Sequence, residues 1–287
     1  MTAAPAVPPI AGPPVRLAIL TVTRDNLPGL LDTHASLKRQ SVRDFHWLVA
    51  DGGSTDGTVA WLTDHTGALA WWRSAPDGGP YGGMNDALDA ARALNCTHAL
   101  FLNAGDSLAE ADTLLRLRRA MQHAPDAVLL YGDALERTDD DRLLLKVARS
   151  HRLATLGMFT HHQAMIYRIA GIEGLRFDPS FEIAADYGFT LTTLRRGAAT
   201  RLPFPVCVFA RGGLSQQKIE QGRREQSQIR RLFFGHGLAL ETLVSSAQWA
   251  ASALRIRAPA VYEFFRFRRK KFYFHLRAKT PPETPSE

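Results

Sequence analysis

Polar side chains able to grip a ligand collect at three points of this chain, each directly after an apolar run. Thr21 and Thr23 close VRLAILTV and lead into Arg24. Asp51 closes FHWLVA and precedes Gly52, Gly53 and Ser54. Asn103 and Asp106 follow HALFL. A carboxylate such as Asp51 can accept a hydrogen bond from a base N–H, and paired glycines let a ligand approach the backbone. The competing reading of Asp51 is a turn residue ahead of a helix capped by Ser54. Asp106 equally reads as a helix N-cap before SLAEADTLL, and Asp186 as an acid at a helix start. Several chemistries are absent. The two glycines lack the third needed for GxGxxG, GGSTDG lacks the Walker lysine, and there is no GxSxG elbow. His161 and His162 have no acidic or histidine partner at helical spacing, which disfavours zinc. Cys96 and Cys207 sit in apolar stretches and read as small buried hydrophobes.

The elements needed to position these residues follow from hydrophobic periodicity. Apolar runs at 15–22, 45–50, 68–73, 98–102 and 127–132 read as strands. Helical spacing separates them at 27–39, 55–65 and 82–94, with a further helix after Ala109. Such alternation predicts βαβ units on a mostly parallel sheet, an α/β fold with helices on both faces. Ligands of such sheets bind beyond the carboxyl ends of the strands, where Thr23, Asp51 and Asp106 fall. The second half is less regular. An edge strand is expected at 143–148, a strand within 160–168, a helix at 185–196, and a strand at 201–210 whose Pro203 and Pro205 point to a sheet edge. Trp71 and Trp72 are consecutive and should face opposite sides of their strand. The expected organisation is a leader at 1–14, a catalytic domain at 15–213 divided near 133/134, a helical extension at 214–279, and a tail at 280–287.

The combination of segments resembles glycosyltransferase family 2, and in particular its bacterial polysaccharide-biosynthesis members. TVTRDN at 21–26 and VADGGSTDGT at 49–58 are similar to the family's amino-terminal signature. SAPDGGPYGGMN at 74–85, FLNAGD at 101–106, His162-Gln163, and AADY at 184–187 resemble its later motifs, in the family's order. The resemblance covers about residues 16–210 and implies a GT-A fold. It further implies that Thr21, Thr23 and Asp51 line a nucleoside pocket, with Asp51 reading the base. Asp77 lies near the ribose or sugar, with Asn85 and Asn103 on the donor as well. Asp106 holds Mg²⁺ or Mn²⁺ on the diphosphate, both being hard ions that favour oxygen ligands. His162 and Gln163 hydrogen-bond phosphate or acceptor. Asp186 is the general base of an inverting transfer, with Glu182 as the substitute. The chain departs from the family's Asp-x-Asp, since Gly105 stands where the middle carboxylate is usual.

Charge is unevenly placed. Residues 1–254 carry a net +1, whereas Arg255–Lys279 carries +8. A nearly neutral body argues against a nucleic-acid partner. Residues 259–279 interleave seven aromatics with bases, a composition suited to the interface of an anionic membrane. The start of the chain lacks a charged segment followed by an apolar one, so a cytoplasmic enzyme is expected, with peripheral membrane contact through 259–279. The expected partners are a nucleotide-sugar donor, commonly uridine-based, and a surface-glycan or lipid-linked acceptor. Two alternatives stand beside this reading: a nucleotidyltransferase making a sugar nucleotide, and a non-catalytic sugar-binding scaffold. The first is disfavoured because Arg24 is the only basic residue near the end of the first strand.

Overall fold

The computed structural model describes residues 14–138, 141–210, 213, 217–235 and 237–258. The first half runs β1 (Leu17–Thr23), α1 (Leu27–Lys38), β2 (His46–Asp51), α2 (Thr58–Asp64), β3 (Trp71–Ser74), α3 (Pro80–Ala93) and β4 (His98–Phe101). The short β5 (Ser107–Leu108), α4 (Thr113–His123), β6 (Leu129–Arg137) and β7 (Leu143–Lys146) follow. The remainder comprises β8 (Met165–Arg168), α5 (Ala185–Leu194), β9 (Ala199–Phe209), α6 (Ile219–Phe234) and α7 (Leu238–Arg257).

All nine strands join one sheet, ordered β3-β2-β1-β4-β8-β6-β9-β5, with β7 beside the outer part of β6. The β3-β2-β1-β4 half is entirely parallel. Antiparallel strands enter where β8 inserts between β4 and β6. Alternate side chains go to opposite faces, as the strand period of two requires. Ala18, Leu20 and Val22 pack with Met84, Ala87 and Leu88 of α3 and with Tyr187 and Phe189 of α5. Leu17 and Ile19 pack with Leu30, Leu37, Leu62, Leu114 and Leu117 from α1, α2 and α4. Trp71 and Trp72 divide between these cores as their adjacency predicts. Cys96 and Cys207 are free and buried.

The parallel register aligns the polar strand ends. Thr23 pairs with Asp51, and Asp51 with Ser74, so three polar residues lie side by side at the carboxyl edge. The chain after β4 continues this edge, with the Ala104 N–H bonding the Val22 carbonyl at 3.1 Å.

One local expectation is corrected, and another is placed more closely. Ser54 does not cap α2, which begins four residues later, behind Gly57. Asp56 accepts from the Thr58 N–H at 3.1 Å, and the Ser54 hydroxyl serves Asp51 instead. Pro203 and Pro205 lie on the stretch of β9 that pairs with β6 alone, because β5 reaches only Cys207 and Val208, so they do sit at a local edge of the sheet. They fall where its register against β6 shifts, between Arg201 and Cys207, so the ladder loses little from their missing N–H groups.

Candidate active site

A cleft of about 1160 Å³ opens across the carboxyl edge of the sheet. It is lined from the first half by Tyr81, Asn103 and Asp106, and from the second by Glu136, Lys146, His161, His162, Gln163 and Asp186. The N-terminal part of α6 forms a further wall through Glu220, Gly222 and Arg223.

Asp106 is 4% exposed and follows Gly105, whose φ of +100° favours glycine. Its Oδ1 accepts the Ala210 N–H at 2.9 Å, and the Gln163 side chain also donates to the carboxylate. Burial outweighs these bonds and raises its pKa to about 7. Asp106 is not an N-cap: β5 follows it, and α4 starts only at Thr113. The neighbouring Asn103 Oδ1 is buried and has no hydrogen-bond partner among the described residues.

Asp186 sits in the first turn of α5, where the helix dipole favours a negative charge. Oδ1 accepts the Tyr187 N–H at 2.8 Å and lies 3.2 Å from the Tyr81 hydroxyl. Burial still raises its pKa to about 6. That value leaves it mostly ionised at neutral pH yet more basic than an exposed aspartate, the range useful to a general base. Glu182, the substitute candidate, is exposed and engaged by Lys218 and by Gln221.

At the β2 end, Asp51 is 1% exposed. It accepts the Ser54 N–H at 2.9 Å, the Ser54 hydroxyl, and the Ser74 hydroxyl at 2.5 Å. These bonds fix its carboxylate and leave acceptor capacity on Oδ1. Asp77 accepts the Gly79 N–H at 2.9 Å. Its carboxylate lies against Gly52 and Gly83, where a Cβ on Gly83 would sit 2.7 Å from Oδ2. Glycine at these positions therefore lets the β2 and β3 loops close on one another. The Thr23 hydroxyl at the same edge is buried without a partner among the described residues.

The remaining expected site residues are Thr21, Asn85, Gln163 and His162. Thr21 is fully buried, donating to the Leu102 carbonyl at 2.8 Å and accepting from the Trp47 indole at 3.0 Å. Its hydroxyl is spent inside the sheet packing rather than on a nucleoside. Asn85 exchanges two hydrogen bonds with the Phe177 backbone, at 3.0 and 2.8 Å, and so ties α3 to the 173–181 loop. Gln163 supports Asp106. His162 stacks on Phe101 with centroids 4.9 Å apart, and burial lowers its pKa to about 3. It lines the cleft as a neutral ring, with Nε2 unpartnered among the described residues.

Three features were not singled out from the sequence. Tyr81 lies inside the SAPDGGPYGGMN segment but carries no distinctive spacing. Glu136, Lys146 and His161 form one ionic cluster, with Lys146 Nζ and His161 Nε2 at 2.9 and 2.8 Å from Glu136 Oε1. Those partners hold the Glu136 pKa well below the usual carboxylate range despite burial. Glu225, far along the chain, binds the loop before Asp186.

The parallel half-sheet with its polar edge and the facing second-half cleft define a GT-A glycosyltransferase, and solved structures share this architecture. S. aureus TarS 1–349 in complex with UDP-GlcNAc matches with a TM-score of 0.62 at 17% identity, over 86% of this chain and 76% of that one. The mannosyltransferase PcManGT from Pyrobaculum calidifontis, in complex with GDP-Man and Mn²⁺, matches with a TM-score of 0.59 at 17% identity, over 88% and 81%. Residues 18–180 match the model of glycosyl transferase family 2, and the chain belongs to that family. A PGL/p-HBAD biosynthesis glycosyltransferase of Mycobacterium bovis (strain BCG / Pasteur 1173P2) is 31% identical over 212 residues, covering 68% of this chain and 76% of the relative. The protein is a glycosyltransferase.

Proposed function

We propose that this enzyme transfers a sugar from a nucleoside diphosphate sugar to an acceptor hydroxyl with inversion, and that Asp186 is the general base. The observation that carries this reading is the cleft itself, which brings a half-buried, proton-avid Asp186 from the second half opposite the Asp106 edge of the first. In the reaction, the acceptor oxygen attacks the anomeric carbon while its proton passes to Asp186. The bond to the diphosphate oxygen breaks, and the nucleoside diphosphate leaves. Oδ2 suits the proton-accepting role because the helix-side hydrogen bonds fall on Oδ1.

On the donor side, Asp51 and Thr23 contact the nucleoside, and Asp77 the ribose or sugar. Carboxylates outnumber cations on the described cleft walls: Asp32, Asp106, Glu136, Glu182, Asp186 and Glu220 against Arg137, Lys146 and Arg223. A diphosphate entering such a cleft calls for positive charge from outside the protein. Among the described residues, no three His, Cys, Asp or Glu side chains converge as a metal centre. Asp106 with the unpartnered Asn103 Oδ1 fits an ion that takes its other ligands from phosphate and water, as Mg²⁺ or Mn²⁺ does. Such an ion, bound with the donor, stabilises charge on the departing diphosphate. UDP-GlcNAc and GDP-Man are donors bound by structural neighbours, and either nucleotide class is compatible with a carboxylate at Asp51.

The proposed acceptor is a surface glycan or lipid-linked intermediate. Residues 259–279 lie outside the described residues, but the helices leading to them expose apolar side chains. Leu232, Leu243 and Trp249 are 77%, 67% and 62% exposed. That surface, continuous in sequence with a +8 segment, suits a peripheral membrane contact. No described helix is long and apolar enough to cross a membrane.

A thermal-shift panel of UDP, GDP, dTDP and CDP, with and without Mn²⁺, tests the donor reading. One nucleotide should raise the melting temperature, and more so with the ion. No shift with any nucleotide would refute it. The anomeric configuration of the product, read by NMR, tests inversion.

A further inference from the structure

The loop that delivers Asp186 is held from outside the sheet. Glu225, on α6, is 7% exposed, and its carboxylate accepts three consecutive main-chain N–H groups. Oε1 accepts from Glu182 at 3.2 Å, and Oε2 from Ile183 and Ala184 at 2.8 Å each. These amides lead directly into α5, whose N-cap, Ala184, supplies no side-chain hydrogen bond. Helix starts leave N–H groups that need an acceptor, ordinarily a Ser, Thr, Asp or Asn at the cap. Here the acceptor for the approach to the helix is an anion more than forty residues downstream. Gln221, one turn earlier on α6, donates to Glu225 Oε1 and to Glu182 Oε2, at 2.9 Å in both cases. From the opposite side, the Tyr81 hydroxyl donates to the Ile183 carbonyl at 2.7 Å. Residue Ile183 is therefore gripped at both its N–H and its C=O, three positions before Asp186.

We propose that Glu225 is a positioning residue for sugar transfer, fixing the 182–184 backbone and through it the Asp186 carboxylate. This rests on Asp186 being the general base. The titratable groups around Asp186 are Tyr81 from α3, Tyr167 from β8, Tyr187 from α5 itself and Glu225 from α6. Among them Glu225 contributes a negative charge that adds to burial in raising the proton affinity of Asp186.

The test uses the full chain as E225Q, E225D and D186N, with melting curves, donor affinity and kcat against pH. Gln keeps the size of Glu225 but removes the charge, and one end of its amide presents N–H to N–H. E225Q should leave donor Kd within about twofold and lower kcat by about tenfold to a hundredfold, the scale of losing an ångström of alignment. Its acid limb should move to lower pH, because the neighbouring negative charge is gone. E225D keeps the charge and loses reach, so kcat should fall while the limb stays in place. On the D186N background, E225Q should cost nothing further, since both act through one group. An E225Q enzyme with a lower melting temperature, wild-type kcat and an unmoved acid limb would overturn the proposal. If E225Q does not fold, E225D decides: wild-type kcat refutes the proposal, and reduced kcat at unchanged donor Kd supports it. Wild-type turnover by D186N would remove the base assignment itself, whichever way the Glu225 variants behave.

Discussion

Asp106 and Asp186 are both carboxylates desolvated at the rim of one cleft, yet their settings differ. Asp106 is almost sealed, and its pKa is raised to about 7. Its proton is therefore bound more tightly in the folded than in the unfolded chain, from its ordinary value of 3.8 upward. The stability this contributes is present below 3.8 and is lost as pH rises through about 7. Asp106→Asn removes that dependence. The Tm of the variant relative to wild type should accordingly rise between pH 5 and pH 8 in the absence of nucleotide, as differential scanning calorimetry would record. A difference that stays flat with pH would contradict the burial argument. Asp51 is fixed by Ser54 and Ser74 rather than by a charge. Asp51→Ala should weaken nucleotide binding by about 1.5–3 kcal/mol, the worth of a charged hydrogen bond, with the fold intact. Titration calorimetry showing unchanged affinity for every nucleotide would refute its role as the base reader.

At the scale of elements, the parallel half was legible in the sequence because buried strands declare themselves as continuous apolar runs. VRLAILTV, FHWLVA and HALFL all became strands, and their polar ends aligned as the register required. The wholly polar connections were less legible. Ser54 resembles a cap by type and position, but the nearby Asp51 carboxylate competes successfully for its hydroxyl. Asn85 and Gln163 sit inside segments that read as donor or acceptor motifs. Their amides are instead committed to Phe177 and Asp106, contacts set by chain elements 92 and 57 residues apart. Thr21 differs from Thr23 only in depth along the strand, which places one inside the packing and the other at the edge. Glu225 had no local signal, since a carboxylate on a polar helix is ordinarily solvated and its three donors lie 41–43 residues away. The reciprocal Asn85–Phe177 pair makes an element-scale prediction. Asn85→Ala would leave the buried Phe177 N–H and C=O unpaired, costing about 1–3 kcal/mol of stability. Denaturant unfolding should show this loss, while nucleotide affinity in the still-folded variant changes little.

For the whole molecule, charge is divided between a near-neutral body and a +8 segment at 255–279, and the proposed membrane contact is assigned to the latter. Leu232, Leu243 and Trp249, on the two helices that lead into that segment in sequence, are exposed apolar side chains of the kind that interaction surfaces use. The intact protein should co-sediment with vesicles containing anionic lipid, and added salt should weaken the binding. Removal of residues 259–287 should abolish it while nucleotide binding persists, because the strand-end residues all precede Val208. Binding unaffected by removing the segment would assign the contact elsewhere, and absence of vesicle binding by the intact chain would end the membrane reading.

In the proposed transfer from a nucleotide-sugar donor, Asp186 accepts the proton of the acceptor hydroxyl. The decisive comparison is between wild-type and Asp186→Asn enzyme at saturating donor, following release of nucleoside diphosphate in the presence of acceptor. The variant should lose about 10²- to 10⁴-fold in kcat, the usual contribution of a general base, at unchanged donor affinity. Transfer at the wild-type rate by Asp186→Asn would contradict the account.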